Sequence, residues 1–289
     1  MWNPFDSKSD LAKLQRRLTK SPPSDKELIK QEVIANLRFA EQLGHAVPMG
    51  GRILDVGCGV GDSVAALLDL GYDAYGVDVL EFWDADFDWY WEEREKPHGD
   101  YIKRLHAVPL SNYKFPFPDN YFHFAFSGQV FEHVFNYEEV FREIIRILEP
   151  NALSIHRFPG PNQLVESHIS VPFPVLCKFK PWLTMWALAG KRSSRQGGFT
   201  WREALTTNIE TMQYCQYPTK TSLLRRAADA QVRIDFLEAE EIKSRNFGRV
   251  GRIMSQIPAP MRGIAGRFLS VVAQRVMVLY GSQEQSLSR

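Results

Sequence analysis

The sequence predicts an α/β protein built on an open, mostly parallel sheet, and two stretches carry that expectation. Ile53, Leu54 and Val56 lead into the glycine turn Gly57-Cys58-Gly59-Val60-Gly61, as a strand buried on both faces does before the chain swings into a helix. Gly76-Val77-Asp78-Val79 answers it as a second strand, after an intervening apolar helix. In open parallel sheets the ligand crevice lies at the carboxyl ends of the strands. Asp55 and Asp78 each fall at such an end, and Asp78 is placed to accept hydrogen bonds from a ribose.

The elements follow in order. Leu11, Leu14 and Leu18 mark a short amphipathic helix that Ser21-Pro22-Pro23 ends. Ser24 with Glu27 reads as a capping box for a second helix, running to about Gly44 with Ile29, Val33, Leu37 and Ala40 on one stripe against the sheet. Val64, Ala65, Leu67 and Leu68 carry the helix after the glycine turn, and Tyr72 to Val77 the second strand. From Glu81 to Asp100, tryptophans alternate with acids, which suits a loop with a short helix and a solvated acidic face near the pocket mouth. Tyr101 to His106 is expected as the third strand. Residues 115–120 make a turn, and Tyr121 to Phe126 the fourth strand.

Ala152 to Phe158 is expected as the fifth strand. Pro159 to about Pro218 is rich in proline and aromatic residues and has no acid from Ser167 to Arg202, the composition of an inserted basic cap. Lys220 to Ala230 then reads as a helix, Val232 to Leu237 as a strand and Arg275 to Tyr280 as the last strand. Between the last two, basic residues from Lys243 to Arg267 interleave with apolar ones without a balancing acid, a basic amphipathic segment. The expected divisions are 1–50 for the amino-terminal helices, 51–158 for the ligand-binding core, 159–218 for the cap and 219–289 for the return of the core.

Composition narrows the class. With 289 residues and 44% hydrophobic content, the chain can bury a full core. A formal charge of +1 argues against a general nucleic-acid binder, although the first half is acidic and the second basic. Cys58, Cys177 and Cys215 are too scattered for a disulfide framework or a metal knuckle, which points to a reducing compartment. Met-Trp-Asn-Pro-Phe-Asp-Ser does not look like a secretory signal, and no apolar run is long enough to span a bilayer. The expected location is the cytoplasm, with the inner face of a membrane in reach of the basic segment.

Leu54 to Gly61, Leu-Asp-Val-Gly-Cys-Gly-Val-Gly, resembles the first motif of the class I methyltransferases that use S-adenosylmethionine. The Gly-x-Gly-x-Gly spacing and the acid two residues before it separate it from the Gly-x-Gly-x-x-Gly of nicotinamide-binding units. Downstream, Pro116 to Phe122, Ser127 to Val134 and Glu143 to Pro150 resemble the broad type 11 methyltransferase group over roughly the first 160 residues. The resemblance implies a Rossmann-like, seven-stranded, mostly parallel sheet with S-adenosylmethionine as cofactor and S-adenosylhomocysteine as product. It places Asp55, Gly57, Cys58, Gly59, Gly61, Asp78, Val79, His106, Ala107, Ser127 and Gly128 at the cofactor. His106 stands where the family usually has an acid, and His123 where it commonly has an aspartate.

Methyl transfer from a sulfonium needs alignment and exclusion of water, since the leaving sulfide takes no proton. A hydroxyl acceptor is helped by a base, and His133, His156 and His168 are the catalytic candidates because their positions follow the fourth and fifth strands. Each of the three also fits a structural role. Glu166 to Phe173 resembles a substrate-facing pattern of some type 11 relatives, which marks His168. The chain has no Gly-x-Ser-x-Gly or Gly-Lys-Ser/Thr stretch and no metal-ligand spacing, so neither hydrolysis nor a metal is expected. The implied function is methylation, at oxygen, of a small-molecule, sugar or lipid-linked acceptor, without nucleic acid. The basic surfaces admit a solvated face, a pocket for an anion or a peripheral membrane contact. The competing reading is a catalytically inactive methyltransferase-like binding protein.

Overall fold

The computed structural model describes residues 26–79, 100–244, 256–258, 261 and 274–282. The expected helix at Leu11 to Leu18, the Ser24 cap, nearly all of the acidic tryptophan stretch, most of the basic amphipathic segment and most of the carboxyl-terminal tail lie outside them.

Helix α1 (Lys26–Gln42) leads to β1 (Arg52–Val56), α2 (Asp62–Asp69), β2 (Asp73–Val79), β3 (Leu105–Val108) and β4 (Phe122–Gly128). Next come α3 (Tyr137–Ile147), β5 (Leu148–Phe158), α4 (Lys180–Leu188), α5 (Trp201–Gln213), α6 (Lys220–Asp229), β6 (Ile234–Phe236), α7 (Glu238–Ser244) and β7 (Arg275–Tyr280). The strands form one seven-stranded sheet in the order β3-β2-β1-β4-β5-β7-β6. The first five run parallel, and β7 is antiparallel to both β5 and β6. Order reverses between β1 and β4, so a crevice opens there at the carboxyl ends.

Strand β2 runs Asp73–Val79 and β6 only Ile234–Phe236, against the expected Tyr72 to Val77 and Val232 to Leu237, and three further boundaries differ from the sequence expectation. Residues 102–104 form a 3-10 turn, with Arg104 N–H donating to the Tyr101 carbonyl at 3.0 Å, so β3 starts at Leu105. Strand β4 continues through Ser127 and Gly128 because both find register partners, His156 and Arg157. Strand β5 starts at Leu148, opposite Phe122, and absorbs Pro150 and the positive-φ Asn151 as an irregularity within the strand.

Side chains divide between the two faces with the period of two that strands impose, broken in β4 by the register shift between Phe122 and Phe124. Leu54, Phe122, Ala125, Met277 and Leu279 join Phe141, Ile144 and Ile147 of α3 and Leu223 of α6 on one side. Ile53, Phe124, Phe126, Val276 and Val278 join Val33 and Phe39 of α1 and Leu67 of α2 on the other. The insertion has a third core of its own, including Ile169, Val171, Leu183, Leu205, Met212 and Tyr217.

Arg146 ties the turn before β4 to α3. Its guanidinium donates to Glu143 at 2.7 and 2.9 Å, to Asp119 at 2.7 Å, and to the carbonyls of Phe115 and Phe117 at 2.9 and 2.8 Å. Burial alone would raise the Glu143 carboxyl, but hydrogen bonds from Arg146, the Phe115 N–H and Lys114 hold it below its ordinary 4.5. A depressed carboxyl adds stability above its unfolded pKa and loses it as pH falls through the folded one. Arg146→Ala should therefore cost about 2–3 kcal/mol in urea unfolding at neutral pH, since it leaves a largely buried carboxylate unpaired. The gap from wild type should narrow once pH drops below 4.5. A gap independent of pH would show that this ion pair is not its source.

Candidate active site

The first half of the site is the glycine turn between β1 and α2. Gly57 and Gly61 have φ of 77° and 83°, open to glycine at little cost. The N–H groups of Gly57 and Cys58 donate to the Val77 carbonyl at 2.7 and 3.2 Å, which binds the turn to β2. Asp78 closes the arrangement: one carboxylate oxygen accepts from Gly59 N–H at 2.6 Å and the other from Val79 N–H at 2.7 Å. Each oxygen keeps a lone pair for a further donor. Burial raises Asp78, and it raises Asp55 to about 8, with the charge of Asp78 as the second cause. Buried Asp55 and partly buried Asp78 on adjacent strand ends suit a ligand that brings hydroxyl donors.

The remaining sequence-selected cofactor residues separate by environment. Ala107 is exposed, and Gly128 has open space where a side chain would be. Cys58 is buried, with its thiol raised well above the ordinary range by burial and by Asp55 and Asp78. His106 packs edge-on against Phe117, with ring centroids 4.8 Å apart, and burial lowers its pKa. Ser127 is buried and turned toward His156. His123 accepts from Arg52 N–H at 3.0 Å and joins β4 to the start of β1.

Among the histidines singled out by sequence, His156 stands apart from the other two. It is fully buried, Nδ1 is 2.8 Å from Ser127 Oγ, and Nε2 is 2.9 Å from Ser154 Oγ. Burial and the neighbouring Arg157 push its pKa down to about 3, so it is a neutral ring with both nitrogens in use. That arrangement fits the interior of the sheet, not proton exchange with an acceptor.

His133 and His168 meet where three loops converge. His133 follows β4, His168 lies in the insertion, and Tyr214 to Tyr217 cross over from the end of α5. His133 Nδ1 is 2.8 Å from the Tyr214 carbonyl, and His168 Nδ1 is 2.6 Å from Glu166 Oε1. Both partners are acceptors, so each Nδ1 carries its hydrogen. The two Nε2 atoms then face one another across 3.2 Å. Glu166 also accepts from Ile169 N–H at 2.6 Å and from the Tyr217 hydroxyl. Against burial, which lowers it, hydrogen bonding with Cys215 and Glu166 pushes His168 up to about 10. Burial raises the Cys215 thiol, but the two histidines bring it below its usual range.

Glu132 completes the cluster. The residue is fully buried, both carboxylate oxygens are without a hydrogen-bond partner, and burial raises it to about 7. Its Oε1 lies 3.8 Å from His168 Nε2 and 4.0 Å from His133 Nε2. Sequence reasoning selected His133 and His168 but neither Glu132, which is adjacent to His133, nor Cys215 and Tyr217, which no local pattern marks.

Comparison with known proteins gives this geometry a context. Residues 54–155 match the family model described as a methyltransferase domain. The chain is 32% identical over 113 residues to 24-methylenesterol C-methyltransferase 2 of Arabidopsis thaliana, which is 38% of this chain and 29% of that protein. The match thus spans less than a third of the relative's length. A similar solved structure is an S-adenosylmethionine-dependent methyltransferase from Mesorhizobium loti, with 14% identity, TM-score 0.48, and 85% of this chain and 97% of that one covered. Another is a geranyl diphosphate methyltransferase in complex with SAM, with 15% identity, TM-score 0.43, and 93% and 94% covered.

The assignment of His156 to the interior has a direct check. Ser154→Ala leaves a buried ring nitrogen without a partner, which should lower stability by about 1–3 kcal/mol in urea unfolding. An unchanged unfolding midpoint would mean that the His156 to Ser154 contact carries no weight.

Proposed function

We propose that this chain, whose residues 54–155 match the model of a methyltransferase domain, is a class I methyltransferase that moves a methyl group from S-adenosylmethionine to an oxygen of a small-molecule, sugar or lipid-linked acceptor. The observation that carries the reading is Asp78, held by the N–H groups of Gly59 and Val79 at the end of β2 beside the glycine turn, with lone pairs left for ribose hydroxyls. Asp55 and Asp78 suit the positive charge of the sulfonium. Gly57 to Gly61 allow backbone approach, and Val79, Ala107 and Gly128 border the same crevice.

When bound, the cofactor supplies a methyl carbon on a sulfonium, and its departure needs no protonated leaving group. The chain's own part is then to aim an acceptor and keep water out. His133 and His168 are the groups on the acceptor side, 36% and 23% exposed at their side chains. Their presence favours a hydroxyl acceptor, whose proton needs a destination. The insertion covers that side. It also exposes Leu164, Phe173, Val175, Leu176 and Phe179, with Lys178 and Lys180 among the last of them, a surface that supports an apolar or lipid-linked acceptor. Among the described residues no helix is long and apolar enough to cross a membrane.

Two measurements test the reading. In the first, a labelled methyl group is offered from S-adenosylmethionine to an extract of the source cells, which is then separated into lipid, polymer and small-molecule fractions. Label in the lipid fraction would identify a lipid-linked acceptor, and label among small molecules a soluble one. Absence of label with cofactor binding intact would overturn catalysis in favour of a binding protein. In the second, Asp78→Asn should weaken S-adenosylhomocysteine binding by about tenfold to a hundredfold in calorimetry, because a charge-assisted acceptor is lost. Unchanged affinity would remove Asp78 from the cofactor site.

A further inference from the structure

We propose that Glu132, His133 and His168 form a site for a divalent transition metal, zinc by the chemistry of the donors. The reasoning starts from the hydrogen positions. Each Nδ1 donates to a fixed acceptor, the Tyr214 carbonyl or the Glu166 carboxylate, so in the neutral rings each Nε2 presents a lone pair. Two lone pairs at 3.2 Å repel unless a positive centre lies between them, a proton shared by the rings or a metal ion in its place. The same spot is faced by Glu132, a fully buried carboxylate with no hydrogen-bond donor on either oxygen. Three electron-pair donors thus converge on one point.

The spacing fits a metal. With zinc to nitrogen bonds of about 2.0–2.1 Å, the edge of a tetrahedron is about 3.3 Å, close to the 3.2 Å between the ring nitrogens. Glu132 Oε1, at 3.8 and 4.0 Å from them, needs to move by about half an ångström to reach bonding distance. The surroundings also fit. Metal-bound imidazoles donate their second N–H to a carboxylate or a carbonyl, which fixes the ring and raises its basicity. Glu166 and the Tyr214 carbonyl are such partners, and Tyr217 in turn donates to Glu166. Cys215 lies beside the pair, its Sγ 3.9 Å from His133 Nδ1, one potential ligand atom from each of His133, His168 and Cys215 lying within 4.8 Å of the others. Nitrogen and sulfur donors select zinc over magnesium or calcium.

The site stands on this geometry alone. Its use in turnover rests on the function proposed above: a coordination position left open toward the crevice would hold the acceptor's oxygen as an anion in front of the methyl group.

The test uses the full chain, stripped with a chelator and then offered zinc or, as a coloured substitute, cobalt(II). Wild type should retain about one equivalent after gel filtration, and its cobalt form should show the intense visible bands of a four-coordinate site. Glu132→Gln, which keeps the side-chain volume, should weaken zinc binding by at least tenfold, and the double variant His133→Gln/His168→Gln should abolish it. Circular dichroism and S-adenosylhomocysteine binding on the same preparations report folding and the cofactor site separately. Failure of wild type to retain zinc or cobalt would overturn the proposal, as would full retention by the folded double variant. Retention by wild type with no methyl transfer would uphold the metal site while removing its role in turnover.

Discussion

The site end of the sheet depends on Gly57, Gly61 and Gly76, where a side chain would not fit. A Cβ at Gly57 would collide with Val130, one at Gly61 with the Tyr101 hydroxyl, and one at Gly76 would come within 2.6 Å of Cys58 Sγ. Such approaches are shorter than carbon and its neighbours tolerate, so any side chain would force the strands or loops apart. Val130 belongs to the loop that follows β4, the loop that continues into Glu132 and His133. The bare backbone at Gly57 therefore does more than shape a cofactor turn. It lets the β4 loop settle over the end of β1 through Val130. Tyr101 contributes from the other side, donating to the Gly61 carbonyl at 2.5 Å from a fully buried position before β3.

The histidines show how strongly environment outranks residue type. His156 and His168 have the same side chain, and the strand pattern placed both near the crevice. The first is inserted between two serine hydroxyls in the sheet, where an added charge would have no solvent and no counter-ion, so the neutral ring is favoured. The second has a carboxylate at 2.6 Å and a neighbouring histidine at 3.2 Å, and it is only partly buried. A buried ring flanked by hydroxyls rigidifies strands. A ring with a carboxylate behind it and a partner in front can hold a proton or a cation.

What the sequence made legible follows from locality. The glycine turn, the acids at the ends of β1 and β2, and the seven-stranded sheet were readable because strand, turn and helix chemistry act over a few residues, and β7 begins and ends where its apolar run does. The boundaries of β3 and β5 were not. Tyr101 to Arg104 looks extended until its backbone closes a 3-10 turn, and Glu149-Pro150-Asn151 looks like a break until Leu148 finds Phe122 across the sheet. The cluster around Glu132 was out of reach for a stronger reason. Its members come from positions 132–133, 166–168 and 214–217, and no spacing rule links donors brought together only by tertiary packing.

The two halves of the site are built by different parts of the chain. Everything at the cofactor end comes from Arg52 to Gly128, within the sheet that packs on α1, α2 and α3. The proposed acceptor end needs the insertion, whose separate core holds Ile169, Cys215 and Tyr217 in place. Glu166 is the node of that unit: it binds Ile169 nearby in sequence and Tyr217 near the far end, so the insertion begins and finishes on one buried carboxylate. Gln216 N–H, donating to the Glu132 carbonyl at 2.6 Å, then fastens the end of the insertion to the β4 loop. That loop in turn packs on Gly57 through Val130, so the insertion is coupled to the glycine turn. The family match ends at residue 155, before that third core begins.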